Sequence, residues 1–332
     1  MNATEALWQA ARRGEKRALP ILSFPAANAL GIPVDEMAHS AELQARVVVH
    51  ASRLPTAAAV SPMDLSIEAE AFGARVRFAP DEVPAVVGQL VPDEDAAKAL
   101  RVPDLSAGRI PVSLAAIRLE KAQIPDKPLL AGVIGPFSLA GRLMDVSEIL
   151  YACVDEPETV QLVVEKAATF LQSYIEALRA AGADGVVLAE PLAGVLSPAM
   201  CGTFSCGAVK SLIAAVQRAD FPVVYHNCGR LAPAAYPLLA DQGAAAYHFG
   251  NAVRMPDALA AMPRDVLVLG NLDPAGVLTN GTPARVREDT LALMAECGDV
   301  ENYVPSTGCD VPYAAPWENV EAFFAAVKEA QA

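Results

Sequence analysis

The sequence is poor in charge and in aromatic side chains: 19% of its 332 residues are charged and 6% aromatic, whereas 53% are hydrophobic. So apolar a chain is not predominantly disordered and has ample material for a core. Positive charge is scarcer still, with 25 Lys and Arg against 39 Asp and Glu. The formal net charge of −14 offers no basic face to a nucleic acid, although a local site can oppose the global sign and take an anion. No uninterrupted apolar run approaches the length of a membrane span, and Met1–Arg17 lacks the apolar core of a signal peptide. There is no CxxC pair. Cys153, Cys201, Cys206, Cys228, Cys297 and Cys309 are scattered, a pattern of reduced, cytoplasmic thiols. No GxGxxG or Walker loop follows any strand-like run, which removes the usual nucleotide cradles.

What the chain does have is alternation. Residues 2–13 read as a short helix, Leu19–Phe24 as a first strand, and Ile32–Ala59 as helical in two pieces, with Ser40 capping the second. Ala57–Ser61 is a weak strand that leaves through Pro62-Met63-Asp64. Residues 66–128 are rich in proline and the least regular part, with a helix at Ser113–Gln123. From Leu129 the rhythm is regular, with strands at Leu129–Ile134, Asp184–Ala189, Phe221–Tyr225, Ala244–Phe249, Val266–Leu269 and around Tyr303-Val304. Helices separate them, among them a long one that starts at Pro157, where proline suits the first turn. About eight strands alternating with helices imply a parallel sheet closed into a (β/α)8 TIM barrel. The expectation is a single domain over 1–332 with an N-terminal helical elaboration. An open doubly wound sheet is the runner-up.

The reactive residues sort onto one end of such a barrel. Asp64, Glu190, His226, Cys228, His248, Asn271, Asp273 and Cys309 all lie just after strands, on the face where barrel active sites are built. His226 and Cys228 are two residues apart at a strand end that Gly229 lets bend, and Cys309 follows Gly308 at another. One imidazole and two thiolates form a borderline-soft ligand set suited to zinc. Three protein ligands leave a fourth position open, as in catalytic rather than structural sites. Glu190 is a further ligand, a base, a hydrogen-bonding partner of substrate or a solvated loop carboxylate. His248 faces the site, and both residues are expected to line the cavity above the barrel. Asn271 and Asp273 are assigned to cofactor contact, with a turn-holding role as the plainer reading of Asp273. Cys153, Cys201, Cys206 and Cys297 read as packing or surface thiols, and Arg142 and Arg254 as surface charges.

Several segments together resemble the uroporphyrinogen decarboxylase superfamily over nearly the whole chain. They are Gly135-Pro136-Phe137-Ser138-Leu139-Ala140-Gly141, Glu190-Pro191, His226-Asn227-Cys228-Gly229, Gly270-Asn271-Leu272-Asp273-Pro274 and Gly308-Cys309-Asp310-Val311-Pro312. Within it, the HxC pair plus the late cysteine is similar to the zinc-dependent methylcobamide:thiol methyltransferases. The resemblance implies a (β/α)8 barrel and a zinc ion on His226, Cys228 and Cys309. It also implies transfer of a methyl group from methylcobamide, carried by a separate corrinoid protein docked over the C-terminal face, to a small thiol such as coenzyme M or homocysteine. The decarboxylases use an arginine-rich N-terminal segment, and Phe24-Pro25-Ala26-Ala27-Asn28 has no arginine there. Tyr247-His248-Phe249-Gly250-Asn251 stands where the methyltransferases are expected to carry an acidic residue. A corrinoid:tetrahydrofolate methyltransferase, another enzyme of the superfamily, and a non-catalytic scaffold for a corrinoid partner remain as alternatives.

Overall fold

The computed structural model describes residues 1–331. Its strands are β1 (Ala59–Val60), β2 (Arg75–Arg77), β3 (Ala85–Val87), β4 (Leu129–Ile134), β5 (Gly185–Ala189), β6 (Val223–Asn227), β7 (Ala246–Phe249), β8 (Leu267–Leu272) and β9 (Tyr303–Thr307). Seven form one parallel sheet in the order β1-β4-β5-β6-β7-β8-β9, and β2 pairs with β3 as a separate antiparallel hairpin. The gap between β9 and β1 is filled by extended chain. The Leu19 amide donates to the Pro305 carbonyl at 2.9 Å, and the Ala57 amide donates to the Ala18 carbonyl at 2.8 Å. The curled sheet with its surrounding helices is a TIM-barrel-like fold, the eighth position being held by this short segment rather than by a regular strand.

The expected strand Leu19–Phe24 is therefore cut short, because Ser23–Ala29 is a helix. Pro25, which reads in sequence as the end of a strand, sits in that helix's first turn, where its missing N–H costs nothing. At the N-terminus, Ala3–Ala10 is a helix closed by an Asn2–Glu5 capping box, and its Leu7 and Ala10 pack with the barrel interior. Pro157–Ala181 is the long helix expected, stopped by Gly182 at φ 115°, a left-handed position that glycine fills without strain.

Strand parity decides which residues can meet inside the barrel. Side chains alternate across a strand. Leu130, Val187, Val224, Ala246, Leu267, Leu269 and Val304 pack together as the interior, whereas Leu129, Ala131, Val186, Leu188, Val223, Tyr225, Tyr247 and Phe249 pack outward with the helices. Neighbouring strand ends are level, with Ala189 opposite His226 and His226 opposite His248.

Two features mark the outer layer. Pro198–Val216 is long and apolar enough, by length and composition, to cross a membrane; here it carries Cys201, Phe204, Val209, Leu212 and Ile213 into the barrel's outer core. Glu120, on the helix Ile110–Gln123, is fully buried with no hydrogen-bond partner on either carboxylate oxygen. Burial alone pushes its pKa up from 4.5 to about 8. The folded pKa lies above the unfolded one, so the fold is favoured most below the ordinary carboxylate range and loses stability as pH rises toward 8. Glu120→Leu is expected to remove a fall of roughly 3 kcal/mol between pH 5 and pH 8. Urea unfolding of both proteins at the two pH values measures the difference, and parallel pH profiles would contradict it.

Candidate metal centre

Inward parity continues past the end of β6. Val224 is interior, so His226 and Cys228, at alternate positions beyond it, turn to the same side. Cys309 arrives from the loop after β9. The ligand atoms of the three residues lie within 4.8 Å of one another, and the Cys309 Sγ is 3.6 Å from His226 Nε2. The three are brought together by close backbone approach. A Cβ on Gly250 would stand 2.5 Å from the Cys228 carbonyl oxygen, and one on Gly308 would stand 2.5 Å from the Asn251 amide. Only glycine lets the loops after β6, β7 and β9 nest this tightly.

The imidazole is oriented. His226 Nδ1 is 3.2 Å from the His248 carbonyl oxygen, so it carries the proton and donates, leaving the Nε2 lone pair turned toward the two thiols. The hydrogen bond from Cys309, with the His226 ring beside it, holds the Cys228 thiol down at about 4. Cys309 is pushed up by the same pairing and by burial. The pairing therefore favours the thiolate form of Cys228, and a cation held here would displace the proton of Cys309. His226 is buried, whereas both cysteines are half-exposed.

Both sulfurs open into a cavity of about 200 Å³, whose wall includes Met63, Leu65, Val83, Val86, Arg142 and Asp310. Val83 comes from the loop of the hairpin β2–β3 and Val86 from β3, so the hairpin forms part of the cavity wall.

Residues 16–330 match the uroporphyrinogen decarboxylase (URO-D) family. The chain belongs to that family. Similar relatives include the methylated-thiol–coenzyme M methyltransferase of Methanosarcina mazei, 28% identical over 82% of this chain and 72% of that protein. The methylcobamide:CoM methyltransferase MtbA of Methanosarcina acetivorans is 25% identical over 78% of this chain and 76% of its own length. A uroporphyrinogen decarboxylase of Psychromonas ingrahamii is 27% identical over 82% and 78%. Among solved structures, a methyltransferase from Methanosarcina mazei superposes with a TM-score of 0.86, covering 99% of each chain at 23% identity; at that identity the likeness speaks for the fold.

Within this URO-D barrel, Glu190 is not on the cavity wall, contrary to the sequence expectation. It shares the outward parity of Val186 and Leu188. Its Oε1 accepts from the Phe137 amide at 2.9 Å and the Ser205 hydroxyl at 3.0 Å, and its Oε2 accepts from the Ser138 amide at 2.8 Å. A buried carboxylate at the start of the helix Pro136–Met144 satisfies amides that the helix cannot. Its pKa is nonetheless raised by burial, against the pull of these donors.

His248 has inward parity, but it lies under the site and not on the cavity wall. Its ring packs against that of His226 with centroids 4.5 Å apart. Its Nε2 donates to the Thr307 carbonyl at 2.6 Å, and burial and the neighbouring His226 lower its pKa to about 3. It is neutral at any ordinary pH. Asn271 donates to the carbonyls of Gly250 and Val253 at 2.8 and 2.6 Å, bracing the loop after β7. Asp273 Oδ1 accepts from the amides of Ala275 and Gly276, both at 2.9 Å, which is the turn-holding role. Asp64 is ion-paired with Arg109 and accepts from Ser66. Cys153, Cys201, Cys206 and Cys297 are buried.

Two cavity residues escaped the sequence reading. Asp310 directly follows Cys309 and lines the same cavity. Arg142, read as a surface charge, lines the cavity from the helix Pro136–Met144. That helix is otherwise wholly buried, and a lone cation on so apolar a helix was the available signal.

Proposed function

We propose that this chain is a methyltransferase that moves a methyl group from a methylated corrinoid to the sulfur of a small thiol, using zinc held by His226, Cys228 and Cys309. The observation that carries the reading is the convergence of one imidazole nitrogen and two sulfurs at the mouth of the barrel. The donor set fits the ion: for Zn–S and Zn–N bonds of about 2.3 and 2.0–2.1 Å at tetrahedral angles, sulfur and nitrogen stand about 3.6 Å apart. Cys309 Sγ and His226 Nε2 are separated by 3.6 Å. When bound, zinc supplies a vacant coordination position and a positive charge that lower the pKa of the acceptor thiol, so that its sulfur is nucleophilic at neutral pH.

The chain's own residues supply the rest. His226 presents Nε2 because the His248 carbonyl fixes its tautomer. The apolar wall of Met63, Leu65, Val83 and Val86 keeps water from the reacting sulfur. A cavity of about 200 Å³ admits a small thiol and no corrin ring. The methylated corrinoid therefore meets the thiol at the cavity mouth, carried on its own protein against the C-terminal face. The new bond is carbon–sulfur, the broken one is cobalt–carbon, its electron pair stays on cobalt, and the thiol proton goes to solvent.

Porphyrinogen decarboxylation is disfavoured because the helix Ser23–Ala29 carries no arginine. A folate acceptor gains nothing from two thiolate ligands. The test is methyl transfer from methylcobalamin to coenzyme M, homocysteine, 2-mercaptoethanol and tetrahydrofolate by zinc-loaded protein. We expect transfer to thiols. Transfer to tetrahydrofolate alone, or to nothing, would overturn the reading.

Glu190 and His248 take supporting roles in this proposal. His248 acts by position, through its carbonyl on His226 and its ring on Thr307. His248→Phe keeps the carbonyl on His226 but strips the Thr307 carbonyl, two residues before Cys309, of its ring donor, and is expected to weaken zinc binding about tenfold, the low end for disturbing the surroundings of metal-binding residues. Competition with a chromophoric chelator measures it, and unchanged affinity would refute the role.

A further inference from the structure

We infer that Arg142 anchors a negatively charged group on the thiol acceptor and so sets the enzyme's preference for anionic thiols; this rests on the function proposed above. Arg142 is the one guanidinium on the wall of the cavity into which Cys228 and Cys309 open. Among the described residues it is bonded to nothing, and burial alone acts on it, lowering its pKa with no carboxylate to oppose the shift. The contrast with Arg109 is direct. Arg109 is buried where Arg142 is half-buried, and it is ion-paired with Asp64 and Glu70 and stacked over the Phe78 ring at 4.8 Å. Asp310, on the same cavity wall, makes no ion pair with Arg142.

A half-buried guanidinium that faces a cavity and has no counter-ion keeps its donors free for an anionic ligand. A chain with 39 acidic residues had many ways to supply one, and the cavity leaves the place for a ligand. The topology sets what that ligand spans. Arg142 comes from the helix after β4, the ligands from the ends of β6 and β9, so the cation and the ligand triad face each other across the mouth of the barrel. A molecule with sulfur at one end and a carboxylate or sulfonate a few atoms away satisfies both. A planar guanidinium takes either oxyanion with paired hydrogen bonds. The apolar wall between them suits a short methylene chain.

Isothermal titration of the zinc-loaded protein with 2-mercaptoethanesulfonate, 3-mercaptopropionate and 2-mercaptoethanol tests this, using the wild type, Arg142→Gln and Arg142→Lys. The two anions should bind the wild type about tenfold or more tightly than the neutral thiol, the scale of one charge-assisted hydrogen bond. Their ratio to each other tells sulfonate from carboxylate. Arg142→Gln should erase the preference with 2-mercaptoethanol affinity unchanged, and Arg142→Lys should keep part of it. Unchanged neutral-thiol binding also shows that the variant is folded. Equal binding of all three thiols by the wild type, or a preference that survives Arg142→Gln, would overturn the inference. Propionate binding followed by ligand-detected NMR in the Cys309→Ala background separates this inference from the metal reading. If propionate still needs Arg142 there while zinc-dependent thiol binding is absent from the parent protein, the metal reading falls and the anion site stands.

Discussion

On the zinc reading, Cys309→Ala is expected to lose zinc and thiol methylation together. Cys309 is on that reading one of three protein donors, and the imidazole and single thiolate left would hold the ion far less tightly than the full set. The acceptor sulfur then stays a thiol, with an ordinary pKa near that of free cysteine, and is a poor nucleophile at neutral pH. Losing several kcal/mol of charge stabilisation by a metal lowers the rate about a thousandfold, at about 1.4 kcal/mol per factor of ten. Cys228→Ala should behave alike. His226→Ala should weaken both less completely, because the two thiolates remain. The barrel should stay folded in all three, since its interior packing of Leu130, Val187, Val224, Leu269 and Val304 lies beneath the site. Metal analysis, methyl transfer from methylcobalamin and thermal unfolding on the same preparations give the three readouts. A metal-free Cys309→Ala protein that methylates thiols at the normal rate would defeat zinc activation.

The second large effect falls on stability. Glu190→Ala leaves the amides of Phe137 and Ser138 and the hydroxyl of Ser205 without the acceptor they have now. None of the three is near solvent, and each orphaned donor carries its own desolvation cost. A loss of about 3 kcal/mol or more follows from groups of this kind. Gly135 shows how closely the carboxylate is fitted, since a Cβ there would stand 2.3 Å from Glu190 Oε2. Urea unfolding measures the loss, and the zinc content of the protein that remains folded should be unchanged. A variant of wild-type stability that binds zinc but fails in methyl transfer would return Glu190 to the chemistry.

The same residue shows where a sequence stops being legible. The rhythm of short apolar runs and helices led to the barrel, because parallel strands covered on both faces read as continuous apolar segments. That continuity also hides parity. In Val186, Val187, Leu188, Ala189 and Glu190 nothing marks which side is inward, so Glu190 read as a site residue when it faces the helices. His226 and Cys228 could be read because they are two apart and alternate positions share a face, whichever face that is. Their meeting with Cys309 depends on loop nesting at Gly250 and Gly308, which no local pattern reports. The hairpin β2–β3 was invisible for another reason. Arg75-Val76-Arg77 is short and charged and carries no strand signal, yet its neighbour β3 brings Val86 to the cavity. Pro25 misled because proline marks the end of a strand and the first turn of a helix equally well.

The most direct test of the zinc reading is X-ray absorption at the zinc edge, on the purified protein with and without a saturating small thiol. We expect two sulfurs at about 2.3 Å and one imidazole nitrogen at about 2.0–2.1 Å, with a light atom completing the shell. Adding the thiol should raise the sulfur count to three as the light atom leaves. A shell without protein sulfur, or one that the thiol does not change, would contradict direct capture of the acceptor at His226, Cys228 and Cys309.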